Sequence, residues 1–250
     1  MSQRSAKQRR VLDPVRIVLT LEQLQARIEE RFPHAGLAVV CADLAETARK
    51  TAQRTRDLGR PYLGLRALTV LVAVVASALQ VYAASLVNWT SIEHKADAVS
   101  LTQGLESAVN LGLLAFGAIF FLGRWETRLK RARTLRHLYE LRAFAHVIDM
   151  HQLTKDPSVI LGGVRTASSP QRPMNEFQLA RYLDYCSEML ALTSKLAALY
   201  ASRSRDSEVV DAVNDVEVLT SDLGRKIWQK ITILSQLKEV EDAGGAPLNG

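Results

Sequence analysis

Apolar residues are distributed along this chain in three ways. In two stretches they are continuous. Residues 67–87 carry no charge, and Gln80 is their most polar member; residues 105–123 have a strongly apolar centre from Leu111 to Leu122. At ~1.5 Å per residue, ~21 helical residues reach ~32 Å, enough to cross a hydrocarbon core of ~30 Å. A helix that is apolar on every face belongs in a membrane or deep in a large core. Elsewhere apolar residues recur at helical spacing. Val209, Val213, Val216, Thr220, Leu223 and Ile227 follow a 4-3 pattern that then shifts to Ile231 and Leu234. Such a seam packs inside a bundle or pairs with another chain as a coiled coil. Phe177, Leu183, Leu190 and Ala197 form an apolar stripe just before it. Between these regions, residues 157–175 are rich in Ser, Gly and Pro and read as a mobile loop, and residues 241–250 read as a disordered tail.

Start and stop signals divide the periodic regions into helices. Thr20-Leu21-Glu22-Gln23 resembles a capping box, which predicts a helix from Thr20 to about Arg31, stopped by Pro33. A second helix is expected over residues 37–58, followed by an elbow at Gly59 and Pro61. No Gly or Pro occurs between Arg124 and Pro157, so the helix of the second span is free to continue to about Gln152. From Leu105 that makes ~48 residues, or ~70 Å of helix. Asn175 is the expected N-cap of a helix over residues 176–202, and Asp206 or Ser207 starts a last helix ending near Val240. The expected fold is all-α: a two-span transmembrane helical hairpin with a cytoplasmic helical bundle and a stalk helix continuing from the second span. The segments are N-terminal cytoplasmic helices (1–62), the hairpin (63–124, with an outer loop at 88–104), a cytoplasmic helical domain (125–240) and the tail.

Charge orients this arrangement. The chain of 250 residues has a formal net charge of +6, and its arginines cluster beside the apolar runs rather than along a nucleic-acid-binding face. Arg60 and Arg66 precede the first span; Arg124, Arg128, Lys130, Arg131, Arg133 and Arg136 follow the second; the loop between carries Glu93, His94, Lys95 and Asp97. Positive charge stays on the cytoplasmic side, so both termini are expected there, in a plasma (inner) membrane. Basic residues from Arg124 to Arg133 are expected at anionic headgroups, each contributing ~1 kcal/mol. Trp89 and Trp125 suit the two interfaces. The N-terminus carries no signal-peptide pattern, which leaves the first span as the insertion signal. Cys41 and Cys186, the only two cysteines, match no metal or redox spacing and are expected to be buried free thiols.

Candidate chemistry is sparse. His146 and Asp149 are three apart and can share a helix face, as can His137 and Glu140. Bundles use such pairs as metal ligands, but no second matching pair occurs on another helix. Arg181, Asp184 and Glu188 form a second polar cluster whose carboxylates are expected to meet Arg181, Lys195 or Arg142. Glu106, Asn110 and Gln80 are the polar residues placed to line a path through the membrane. Lys226, Trp228 and Lys230 are the only grouping suited to a polyanion. No phosphate-binding glycine loop, nucleophile elbow, zinc-protease motif or kinase signature occurs. Neither a cofactor nor enzyme activity is expected.

Three segments, residues 146–157 (HVIDMHQLTKDP), 181–188 (RYLDYCSE) and 225–231 (RKIWQKI), resemble signature stretches of bacterial two-pass membrane proteins. That resemblance covers roughly the last hundred residues and carries no activity over to any residue. In layout the chain is similar to the SLATT group, which pairs two adjacent spans with a cytoplasmic helix and is proposed to form effector pores; the similarity implies self-association. The expected function is a membrane-anchored helical scaffold or sensor whose cytoplasmic bundle binds a protein or a small ligand. One alternative is a homo-oligomeric pore controlled by its cytoplasmic helices. The other is a membrane-bound metalloprotein using His146 and Asp149.

Overall fold

A computed structural model describes residues 12–57, 62–85, 97–153, 155, 174–204 and 206–244. These residues form six α-helices and no strand: α1 (Pro14–Arg31), α2 (Gly36–Asp57), α3 (Leu63–Ser85), α4 (Asp97–Leu153), α5 (Glu176–Ala201) and α6 (Ser207–Gly244). The expected elbow at Gly59 and Pro61, most of the outer loop and nearly all of the 157–175 loop lie outside the described residues.

Local signals explain most helix ends. Asp13 caps α1 by accepting a hydrogen bond from the Val15 amide at 3.0 Å, and Pro14 takes the first helical position, where its missing N–H costs nothing. The expected cap, Thr20, lies inside this helix, and its hydroxyl donates back to the Arg16 carbonyl at 2.8 Å. Asp13-Pro14 is the stronger start signal, so α1 begins earlier than expected. Asn175 and Gln178 form the reciprocal capping box of α5, in agreement with Asn175 as its N-cap. The final helix passes its expected end at Val240 and reaches Gly244. The helix of the second span already starts at Asp97, so residues 97–104 are helix rather than loop, and it runs unbroken to Leu153. Polar residues in 97–104 end the apolar pattern without ending the helix.

The chain divides into two compact units, Met1–Gly59 together with Thr134–Gly250, and Arg60–Arg133. The first unit holds one continuous core. Helix α1 contributes Ile17, Leu21, Leu24 and Ile28 at helical spacing, and α2 contributes Leu37, Cys41, Leu44 and Ala48. Helix α4 contributes Leu138, Leu141, Ala145 and Ile148, flanked by buried Thr134 and Gln152. That strict 4-3 stripe lies within the densest polar stretch of the chain. Helix α5 is central, with Leu183, Tyr185, Met189, Leu196 and Tyr200 all buried. Every named position of the α6 seam from Val209 to Ile227 is buried too, and so is Leu234. This seam is therefore used inside the chain. In the α5 stripe Leu183, Leu190 and Ala197 are buried, but Phe177 is 61% exposed, because it sits in the first turn beyond the core. Each fully buried Leu, Ile or Val adds about 1.5–3 kcal/mol. Both cysteines are free and buried, and burial pushes each thiol up to about 12.

The second unit contains the two helices long and apolar enough to cross a membrane, and none of either apolar window is buried. Leu113, Leu114, Phe116, Phe120 and Phe121 are all exposed. A soluble protein does not leave so continuous an apolar surface facing water. The core of the first unit is built without these stretches, and their length and composition are those of helices able to cross a membrane.

Candidate functional site

Among the residues singled out in the spans, Gln80 has a specific partner: its side-chain amide donates to the Ala108 carbonyl of α4 at 3.2 Å. Gly112 lies one turn further, and a Cβ there would approach the Gln80 amide nitrogen to 3.4 Å. The small pair Ala108/Gly112 thus receives the Gln80 side chain of α3. Glu106 and Asn110 lie on the exposed surface of α4. At the other end of this unit, the Glu126 carboxylate accepts from the Tyr62 amide at 3.2 Å and pairs with Lys130 at 2.7 Å. It thus places negative charge at the start of α3, where the helix dipole favours it. Lys130 and Arg133 flank the Tyr62 ring at 5.4 and 5.8 Å, and Arg124 lies over Phe120 at 5.3 Å. Arg128 is exposed, whereas Arg131 is half-buried.

In the first unit the predicted polar clusters separate. His146 is exposed on α4, whereas Asp149 is half-buried and accepts a hydrogen bond from the Gln152 side chain. The Gln152 side-chain oxygen and main-chain carbonyl in turn accept from Lys230 Nζ of α6, at 2.6 and 3.0 Å. Lys230 thereby satisfies a carbonyl in the last turn of α4, where cations suit the helix dipole. Among the described residues, no group of three or more His, Cys, Asp or Glu side chains is placed to hold a metal ion. Asp184 pairs with Arg181 at 2.8 Å. Glu188 pairs instead with Arg27 of α1 at 2.7 Å. Both arginines cover the Tyr185 ring, at 5.9 Å for Arg27 and 5.5 Å for Arg181, so this cluster fastens α1 to α5. A further polar group links α2, α4 and α5. The buried Tyr200 hydroxyl donates to buried Thr51 at 3.4 Å, and the exposed Glu140 lies 3.6 Å from both Arg54 and His137.

A concave site that gathers basic and aromatic side chains lies elsewhere in this unit, at the junction of α1 and α2. Pro33 ends α1, and the chain turns through His34, which adopts a left-handed φ of 67°. A non-glycine residue in that region is uncommon and often marks a functional turn. Gly36 then opens α2. A Cβ on Gly36 would meet His151 Cε1 at 2.9 Å, so glycine is what lets this imidazole rest against the start of α2. Phe32 lies edge-on to the Tyr182 ring at 5.5 Å and shapes the floor. Together these segments, the end of α4 and the first turns of α5 enclose a cleft of about 490 Å³, the size of a small-molecule site.

Its lining is basic and aromatic. Arg31, His34, His151 and Lys155 share it with Gln178, Tyr182 and Met174. The Tyr182 hydroxyl lies 3.5 Å from His151 Nδ1. Lys155 Nζ lies 4.4 Å from the Tyr182 ring centroid and 3.6 Å from Met174 Sδ. Arg31 lies over the Phe177 ring at 5.5 Å, which explains why Phe177 stays outside the core. Sequence reasoning missed this cleft, although Pro33-His34-Ala35-Gly36 between two amphipathic helices was a visible signal. No protein-family model, curated protein or solved structure matches the chain.

Proposed function

We propose that this protein is a membrane-anchored, non-enzymatic sensor: the hairpin holds it in the bilayer, and its helical bundle binds a small ligand in the basic cleft. The observation that carries this reading is the cleft itself, a small-molecule-sized cavity lined by polar groups from three separate parts of the sequence. Positive charge on both flanks of the spans supports cytoplasmic termini. Helix α4 is unbroken from Asp97 to Leu153, and its last turns bring His151 to the cleft. A ligand that binds only the folded state raises its melting temperature, by an amount that grows with the logarithm of ligand concentration above Kd. The test is a thermal-shift screen of the full chain in phosphatidylcholine nanodiscs, against panels of neutral, cationic and anionic small molecules. Concentration-dependent stabilisation that is lost in Tyr182→Ala is the expected result. No stabilisation by any class would end the proposal.

One observation favours a second reading, a homo-oligomeric pore or effector. Glu106 and Asn110 lie one turn apart on the exposed surface of α4. A carboxyl and an amide facing lipid are costly, and neighbouring copies would relieve that cost. The similarity of layout to SLATT proteins agrees with it. The mass of the nanodisc-held particle decides: several copies support the pore, and a monomer leaves no wall for one.

A further inference from the structure

We infer that the cleft at the α1–α2 junction is an oxyanion site that recognises a phosphate group on a small molecule. The inference rests on the ligand-binding reading above and names the chemical class of the ligand. Four basic side chains, Arg31, His34, His151 and Lys155, converge on one cavity, and among the described residues lining it there is no Asp or Glu. Elsewhere in this unit four arginines are joined to carboxylates: Arg27 to Glu188, Arg49 to Glu22, Arg181 to Asp184 and Arg225 to Asp222. Arg31 is instead set over an aromatic face at 5.5 Å. The N–H groups of a guanidinium are the ones that grip oxyanions. Lys155 is only 9% exposed, and its ammonium stands 4.4 Å from the centroid of the Tyr182 ring that shares the cleft.

The backbone contributes as well. Helix α2 opens into the cleft through Ala35 and Gly36, and Ala35 has no side-chain oxygen to cap it. The first amides of a helix left uncapped by a side chain carry partial positive charge and suit an anion. Because Gly36 has no Cβ, the His151 ring lies against this same helix start, which brings an imidazole and the amide dipoles to one place. At about 490 Å³ the cleft exceeds what bare phosphate fills, and Tyr182 and Phe32 provide aromatic walls for an organic remainder.

The test uses the full chain in phosphatidylcholine nanodiscs, with inorganic pyrophosphate as the probe and titration calorimetry as the readout. Saturable binding is expected in the native protein. In Arg31→Glu it should weaken by about tenfold or more, the loss that removal of one charge-assisted contact brings. Arg31 is exposed, so this variant should keep its melting temperature. Lys155→Gln should weaken binding in the same direction, whereas Arg16→Gln, whose side chain is 86% exposed far from the cleft, should bind as the native protein does. Competition by phosphatidylglycerol vesicles that disappears in Arg31→Glu would identify a lipid headgroup as the source of the phosphate. Binding without such competition would identify a soluble phosphorylated ligand. Absence of saturable binding, or equal affinity in Arg31→Glu, would overturn the inference. If a neutral molecule from the thermal-shift panel stabilises the protein through Tyr182 while pyrophosphate does not bind, the anion class fails and the ligand-binding reading survives.

Discussion

His34 concentrates a conflict between stability and use in one residue. Its left-handed backbone costs about 1 kcal/mol for a residue with a side chain, yet its imidazole lines the cleft. His34→Gly should therefore raise the stability of the first unit by about 0.5–1 kcal/mol, because glycine adopts this conformation without strain. The same substitution should weaken pyrophosphate binding. Thermal melts and calorimetry on one preparation check both signs, and a variant that loses stability would show that the turn is not strained. Cys41 and Cys186 give a pH prediction. Burial holds both thiols neutral up to about 12, against an ordinary value of 9.0. Above pH 9 the unfolded chain releases thiol protons that the folded chain keeps. Stability is thus fully present below pH 9 and falls as pH rises towards 12. Burial raises Tyr200 as well, which adds to the same loss. Denaturant titrations at increasing pH should show the decline, and Cys186→Ala, although less stable at neutral pH, should show a shallower one.

Among the helices, the strongest predictions concern ends and crossings. Lys230 satisfies the Gln152 carbonyl in the last turn of α4. Lys230→Met should cost about 1–3 kcal/mol by leaving that acceptor without its charged donor. Arginine at the same position should recover part of the loss, and melting temperatures in nanodiscs measure both. Gln80→Leu removes the bond to Ala108 between the spans and should cost only about 0.6–1.7 kcal/mol, the range for hydrogen bonds between membrane helices. A larger loss, read by unfolding in mixed micelles, would mean that Gln80 has a role beyond this pairing.

The sequence made some of these elements plain and hid others for identifiable reasons. The α6 seam and the Asn175 N-cap were legible because the first signal is repeated and the second is local. The stripe of α4 from Leu138 to Ile148 was obscured because charged residues and histidines fill the gaps between its apolar positions. Asp13-Pro14 sets the start of α1, but the capping-box pattern at Thr20–Gln23 competed with it as a start signal.

At the scale of the whole molecule, the cleft was illegible because no segment of it is unusual alone. Arg31 and His34 come from one end of the chain and His151, Lys155 and Tyr182 from the other; only folding gathers them. The Glu188 pairing with Arg27 was missed for the same reason, whereas Arg181 with Asp184 lies within one helix and was readable from spacing. The two apolar stretches needed no tertiary information, since length and composition suffice for them.

Burial of both thiols has a practical consequence. A maleimide that cannot enter the core finds no native target in the folded chain, so the natural protein already behaves as a cysteine-free background. One cysteine introduced on the basic flank after the second span, for example Arg128→Cys, and another placed between the spans, for example Ser91→Cys, can each be tagged from one side of sealed vesicles. The sidedness of every segment then becomes readable with no change to the core.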